Sequence, residues 1–250
     1  MLSRTAALLL PVFGRLRITA DPAPEVTDPA SRAAETADTV PTVAPGSIVA
    51  ANHTSLADPV VVLAALHRLG ARPVVLATAG LWRIPVLGTL LRHEGHIAVR
   101  RGTARAAESL DAAAEALAAG RVVLIYGEGG LPRRRDSGEL PPGPFRSGLA
   151  RLAHATGAPV VPLGQAGSRR LTSGGTAKQL AGLATAPVRR PGLYVHLGTP
   201  LRLPADTAEA TARAHHAVTA AWAAASRHAA SGDAAGRRTA AGPGPESIRP

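Results

Sequence analysis

From Gly46 to Leu201, short apolar runs alternate with segments of helical period, and no other feature of the sequence restricts the fold as tightly. The runs Ser47–Ala51, Pro73–Thr78, His96–Val99, Arg121–Tyr126, Pro159–Leu163 and Leu193–Leu197 predict strands. Between them, Asp58–Leu69, Leu81–Leu91, Thr103–Ala119 and Phe145–Thr156 predict helices. In Thr103–Ala119 the residues Ala106, Leu110, Ala113, Ala114 and Leu117 share one side, Thr103 can cap the start, and Gly120 ends it. Strands such as Val122–Ile125 are apolar on both faces and so need helices on both sides. The expectation is an α/β fold: a single-domain mixed sheet covered by helices on both faces. A chain of 250 residues is long enough to bury such a core without staples or metals.

The ends read differently. Residues 1–20 predict an N-terminal amphipathic helix or interfacial segment, from Arg4, the apolar run Ala6–Leu10, and Arg15 and Arg17. The uncharged stretch Thr5–Gly14 is about half of what a helix needs to cross hydrocarbon, so no transmembrane helix is predicted. Residues 21–45 hold five acids, one arginine and five prolines and read as a loop. Residues 46–230 form the α/β domain, closing on a helix over Thr207–His228. Residues 231–250, rich in Gly, Pro, Ala and Arg, read as a disordered tail, and the glycines around Ser173–Thr176 as a flexible surface loop.

Composition narrows the chemistry. The chain has no cysteine, which excludes a thiolate nucleophile, a disulfide scaffold and cysteine-ligated metal centres. Its net charge of +11 attracts anionic partners. Between Leu140 and Ala205 stand eight basic residues and no acid: Arg146, Arg151, Arg169, Arg170, Lys178, Arg189, Arg190 and Arg202. Such a stretch suits phosphate, anionic lipid or an acidic carrier. With two Trp, two Tyr and two Phe in all, stacking platforms for nucleic acid are scarce, and no specific nucleic-acid partner is expected.

The densest polar cluster is Asn52-His53-Thr54-Ser55-Leu56-Ala57-Asp58-Pro59, between a strand and a helix, where function concentrates in α/β folds. A loop folding back across the five-residue spacing brings the Asp58 carboxylate to the His53 imidazole. Asp58 would then fix the ring tautomer and leave the other nitrogen to take a proton from a hydroxyl. The same spacing suits a plain N-cap aspartate beside a loop histidine.

With its four intervening residues, Asn52-His53…Asp58 resembles the first signature of the glycerolipid acyltransferases, the family of lysophosphatidic-acid and glycerol-3-phosphate acyltransferases. Further blocks follow in that family's order. Gly95-His96-Ile97-Ala98-Val99-Arg100-Arg101 is similar to the second, with Arg101 matching and Arg100 departing from the usual acid. Tyr126-Gly127-Glu128-Gly129-Gly130-Leu131 stands for the third, usually an aromatic residue followed by Pro-Glu-Gly-Thr-Arg; Glu128 and Gly129 match, while Gly127, Gly130 and Leu131 depart. Phe145-Arg146-Ser147-Gly148 is similar to an aromatic-basic-x-Gly stretch, and Ala158–Leu163 to the fourth block.

The resemblance implies a glycerol-3-phosphate acyltransferase-like fold with a short N-terminal helix. It implies transfer of an acyl group from acyl-CoA or acyl-carrier protein to a lysophospholipid hydroxyl, most directly 1-acylglycerol-3-phosphate, with no cofactor, no metal and no acyl-enzyme. In that scheme His53 is the general base and Asp58 its orienter. Asn52, Arg101, Glu128, Gly129, Arg133 and Arg146 belong to the substrate site, Arg133 as one of the Arg133–Arg135 triplet that could replace the arginine missing at Leu131. The work would be done peripherally at the cytoplasmic face of the cell membrane, on an anionic surface. The alternative is a non-catalytic or altered-acceptor relative, or a basic module binding anionic lipid or nucleic acid.

Other motifs carry less. His93-Glu94-Gly95-His96 has the wrong histidine spacing for a metalloprotease helix. Adjacent helical residues diverge by about 100°, so His215 and His216 cannot share one ion and are expected at the surface. Ser55 lacks the Gly-x-Ser-x-Gly setting of a hydrolase nucleophile, and no phosphate loop ending in Gly-Lys-Ser/Thr occurs.

Overall fold

The computed structural model describes residues 1–22, 42–100, 102, 107–132, 136 and 138–240, with backbone alone for 233–240. The elements in chain order are α1 (Leu2–Phe13), β1 (Arg15–Ala20), β2 (Ile48–Ala51), α2 (Asp58–Arg68), β3 (Val74–Thr78), α3 (Leu87–His93), β4 (Ile97–Val99), α4 (Glu108–Ala118), β5 (Val123–Tyr126), α5 (Gly148–Thr156), β6 (Val160–Ala166), α6 (Thr176–Arg189), β7 (Gly192–Leu197) and α7 (Thr207–Ala240). The seven strands form one sheet in the order β1-β7-β6-β2-β5-β3-β4. Strands β2 to β6 run parallel to one another; β7 is antiparallel to β6, and β1 is parallel to β7. The sheet is therefore mixed, as expected.

Alternation along each strand divides two cores. Val49, Ala51, Leu124, Val161 and Leu163 face α1, α2 and α6, whose Leu10, Val61, Leu66 and Ala186 pack onto them. Ile48, Ala50, Val123, Ile125 and Val160 face the other side, against Ala113 of α4, Leu149 and Leu152 of α5, and Ala214 and Val218 of α7. Each fully buried Val, Leu or Ile contributes about 1.5–3 kcal/mol. With so few aromatics, the core also depends on close backbone approach: a Cβ on Gly164 of β6 would stand 2.0 Å from the Trp222 nitrogen of α7.

Several boundaries differ from the sequence reading. Residues 15–20 form β1, an edge strand in register with β7, where an interfacial helix over 1–20 was expected; its pattern Arg-Leu-Arg-Ile-Thr-Ala alternates with period two. The stretch expected as one helix over Leu81–Leu91 is a 3-10 turn, Ala79–Arg83, followed by α3. Thr176–Arg189 forms α6, an element not predicted, which buries only Ala186. Helix α7 runs to Ala240, into the stretch read as a disordered tail, while residues 241–250 lie outside the described residues, as does the proposed Thr103 cap. Most of the predicted loop 21–45 also lies outside them. Among the described residues, no helix is long and apolar enough to cross a membrane.

Candidate active site

The loop after β2 is held by its own backbone amides. Asp58 begins α2, one residue inside the cap position read from sequence, and Ala57 is the N-cap. Its carboxylate is fully buried and collects four donors. Oδ2 accepts His53 Nδ1 at 3.0 Å, the Ser55 amide at 2.9 Å and the Thr54 amide, while Oδ1 accepts the Ser168 hydroxyl. The aspartate thus closes the turn in front of the helix and touches the imidazole with one oxygen, as the first reading of the spacing requires; it accepts no amide of the helix's first turn, so the plain N-cap reading does not hold. Because the carboxylate can only accept, the His53 proton sits on Nδ1 and Nε2 is left with its lone pair. The His53 side chain keeps 15% of its surface open to solvent, whereas that of Asp58 has none.

Two neighbouring strands set the ring. Tyr126, at the end of β5, stacks on His53 with centroids 4.4 Å apart and planes 28° from parallel. Just beyond it, Glu128 Oε2 accepts the His53 amide at 2.8 Å. Burial pushes the Glu128 carboxyl up to about 7, against its backbone hydrogen bonds and with help from the Asp58 charge. Burial likewise raises the Tyr126 hydroxyl well above its ordinary value. Asn52 spans to β6: its Oδ1 accepts the Gln165 amide at 2.8 Å and its Nδ2 donates to the Gln165 carbonyl at 3.1 Å. Asn52 is therefore buried and clamps two strands, with both polar ends of its side chain bonded to the Gln165 backbone.

The 3-10 turn after β6, Ser168–Arg170, and the following loop complete the support. Ser55 Oγ donates to the Thr172 carbonyl at 2.8 Å, and Arg169 Nη1 donates to the Thr54 carbonyl at 2.7 Å. Arg169 is 3% exposed, so it drops out of the cationic face expected over 140–205. Glu139 Oε1 accepts the Gly167 amide at 2.9 Å, and burial raises this carboxyl too, with the Asp58 charge adding to the rise. Tyr126 Oη, Glu139 Oε2, Gln165 Oε1 and Arg169 Nε are buried without a hydrogen-bond partner among the described residues, an unusual concentration around one loop. Ser168, Arg169, Thr172 and Gln165 were not predicted as site residues; they lie more than a hundred residues from the motif, and only the fold joins them to it.

Gly129 has φ +69°, and a Cβ there would meet Arg146 Cδ at 2.7 Å, so the arginine stem lies across the glycine. Gly127 is covered by Phe145, whose ring would stand 2.3 Å from a Cβ. The site thus gathers His53, Asp58, Glu128, Gly129 and Arg146 at the C-terminal ends of β2 and β5. Leu131 is exposed. Arg101 and Arg133 lie outside the described residues, as do Arg134 and Arg135. Of the helical pair, His216 is exposed, but His215 is half-buried against Phe145 with Nε2 3.2 Å from the Pro142 carbonyl. No group of three or more His, Asp or Glu among the described residues could hold a metal ion. The arrangement can accept a proton at His53 Nε2 and stabilise the resulting imidazolium through Asp58.

No curated protein matches the sequence. Among solved structures, the fold is similar to the crystal structure of the 1-acyl-sn-glycerophosphate (LPA) acyltransferase, PlsC, from Thermotoga maritima. The TM-score is 0.61 and the identity 19%, over 87% of this chain and 75% of that one. The acyltransferase family profile matches residues 32–165, more than half of the chain and all of the segment from Asn52 to Gly129. The chain therefore belongs to the acyltransferase family.

Proposed function

We propose that the protein moves a fatty acyl group from acyl-CoA or acyl-carrier protein to the hydroxyl of a lysophospholipid, 1-acylglycerol-3-phosphate foremost, in phospholipid biosynthesis. The observation that carries this reading is the 3.0 Å contact between His53 Nδ1 and a carboxylate with no exposure to water. His53 Nε2 takes the acceptor hydroxyl's proton as that oxygen attacks the thioester carbonyl. The tetrahedral intermediate then expels the thiolate, which recovers the proton from the imidazolium. Since the thioester is already activated, a general base worth about 10²–10⁴-fold together with positioning suffices. Asp58 orients the ring and offsets its transient charge. Arg146, lying over Gly129, binds the acceptor phosphate together with Arg101 and Arg133. Glu128, tied to the His53 amide, shapes the acceptor pocket.

The membrane reading rests on exposed apolar side chains near the catalytic edge. Leu56 stands in the loop that carries His53 and Val60 in the first turn of α2, while Ile84 and Val86 stand between β3 and α3. Leu8, Leu9 and Val12 on α1 and Leu180, Leu183 and Val188 on α6 are also exposed, beside Lys178, Arg189 and Arg190. Basic residues near an anionic surface contribute roughly 1 kcal/mol each. Salt-sensitive pelleting with anionic vesicles, without retention on DNA, is the expected outcome; retention on DNA alone would refute the lipid partner.

A relative with an altered acceptor is the second reading, favoured by Leu131 in place of arginine. Incubation with labelled acyl-CoA or acyl-carrier protein against a panel of lysolipids, with products detected by mass, separates the two. Acyl transfer to 1-acylglycerol-3-phosphate supports the first reading, transfer to another lysolipid alone supports the second, and no ester product removes both.

A further inference from the structure

Strands β3 and β5 begin at the edge of the sheet opposite to the one that carries His53. At that edge a cavity of about 290 Å³ is lined by Arg4, His67, Arg72, Arg121 and Glu94, with Met1, Ser3 and Pro73 completing it. Arg4 sits in the first turn of α1 and His67 in the last turn of α2; Arg72 and Arg121 immediately precede β3 and β5. Four elements distant in sequence therefore deliver three guanidinium groups and an imidazole to one space. A strand of five residues spans roughly 17 Å, so this cavity is separate from the catalytic loop.

The charge balance within it is one-sided. Glu94 is the only acid in the wall, and it is already engaged by the Leu2 amide and, at 2.7 Å, by the Met1 amino group. Among the described residues, Arg4, Arg72 and Arg121 make no side-chain hydrogen bond or ion pair. The three arginines are exposed and line one cavity, so its mouth carries a positive potential, and an anion with several oxygens can take forked hydrogen bonds from them. The volume admits a phosphoryl or diphosphoryl group.

We propose that this cavity is an anion site for phosphoryl groups, with Arg4, Arg72 and Arg121 as its ligands and His67 as a further donor. The site is independent of the acyl-transfer reading. The phosphoryl group could be free in solution or carried on a lipid head, and both sources present the same oxygens.

The test uses the full chain and inorganic pyrophosphate, titrated calorimetrically at low salt. Saturable binding of one pyrophosphate is expected, weakened at least about tenfold in a triple variant with Arg4→Gln, Arg72→Gln and Arg121→Gln. A control of equal charge change, Arg83→Gln with Arg213→Gln and Arg227→Gln, should bind like the parent. These positions are exposed, and unchanged melting temperatures verify that both triples fold. No saturable binding by the parent, or equal weakening in both triples, would overturn the site. Pelleting with phosphatidylcholine vesicles with and without phosphatidic acid then identifies the source. Loss of phosphatidic-acid-dependent pelleting in the first triple alone supports a lipid head, and its retention alongside lost pyrophosphate binding supports a soluble phosphate.

Discussion

Replacing Asp58 with asparagine separates the charge of that residue from its architecture. The Asp58 Oδ2 atom holds two backbone amides and His53 Nδ1, and Oδ1 holds the Ser168 hydroxyl. An asparagine oxygen can keep the first three donors. Its amide group would then face Ser168, whose hydroxyl rotates to accept. Geometry and tautomer survive, and one negative charge is lost. Unit charges about 3 Å apart interact by roughly 5.5 kcal/mol at an effective dielectric of about 20. With about half a charge developed on the imidazole at the transition state, the loss is about 2.8 kcal/mol, a fall in kcat of about 10²-fold. The assay is steady-state acyl transfer at saturating donor, with denaturant unfolding as the control for stability. A kcat within threefold of the parent, in a variant that unfolds at the parent's midpoint, would refute the role given to Asp58.

Three further outcomes follow from the same geometry. Glu128 holds its proton up to about pH 7 in the folded chain, against an ordinary value of 4.5, so the native state binds more protons than the unfolded state between those limits. Stability relative to Glu128→Gln is therefore greatest below about pH 4.5 and falls by roughly 3 kcal/mol as pH rises to and through 7; parallel pH profiles for the two proteins would contradict it. Gly164→Ala drives a methyl into the α7 backbone and should lower the urea midpoint by an amount equivalent to about 3 kcal/mol or more, whereas an unchanged midpoint would mean that α7 does not sit on β6. Removing the apolar tip with Val86→Ser and Leu56→Ser should weaken vesicle pelleting several-fold and leave unfolding unchanged; full pelleting would move the membrane contact elsewhere.

The loop from Asn52 to Asp58 could be anticipated from local order because its contacts are local. His53, Ser55 and Asp58 lie within six residues, and a turn that satisfies the amides of Thr54 and Ser55 brings carboxylate and ring together by itself. The parallel strands were legible for a similar reason, since burial on both faces writes a continuous apolar run such as Val123–Tyr126. Strand β1 was not, because an edge strand with two arginines carries only three apolar residues and its partner β7 lies 177 positions away. Helix α6 escaped because the glycines before it read as a loop and Gly182 and Pro187 interrupt it, although Leu180, Leu183 and Val188 recur along it at roughly helical spacing. Arg169 looked like one more surface cation, and the mixed sheet turned it inward to hold the Thr54 carbonyl. Support of this kind depends on contacts more than a hundred residues apart, which no spacing within a motif encodes.

The central claim concerns one proton acceptor. Purified parent and His53→Ala, both confirmed as folded, would be incubated with acyl-CoA and 1-acylglycerol-3-phosphate, and the diacyl product quantified by mass. The parent should form product and His53→Ala should form at least about 10²-fold less. Turnover by His53→Ala at the parent's rate would contradict the mechanism at its source.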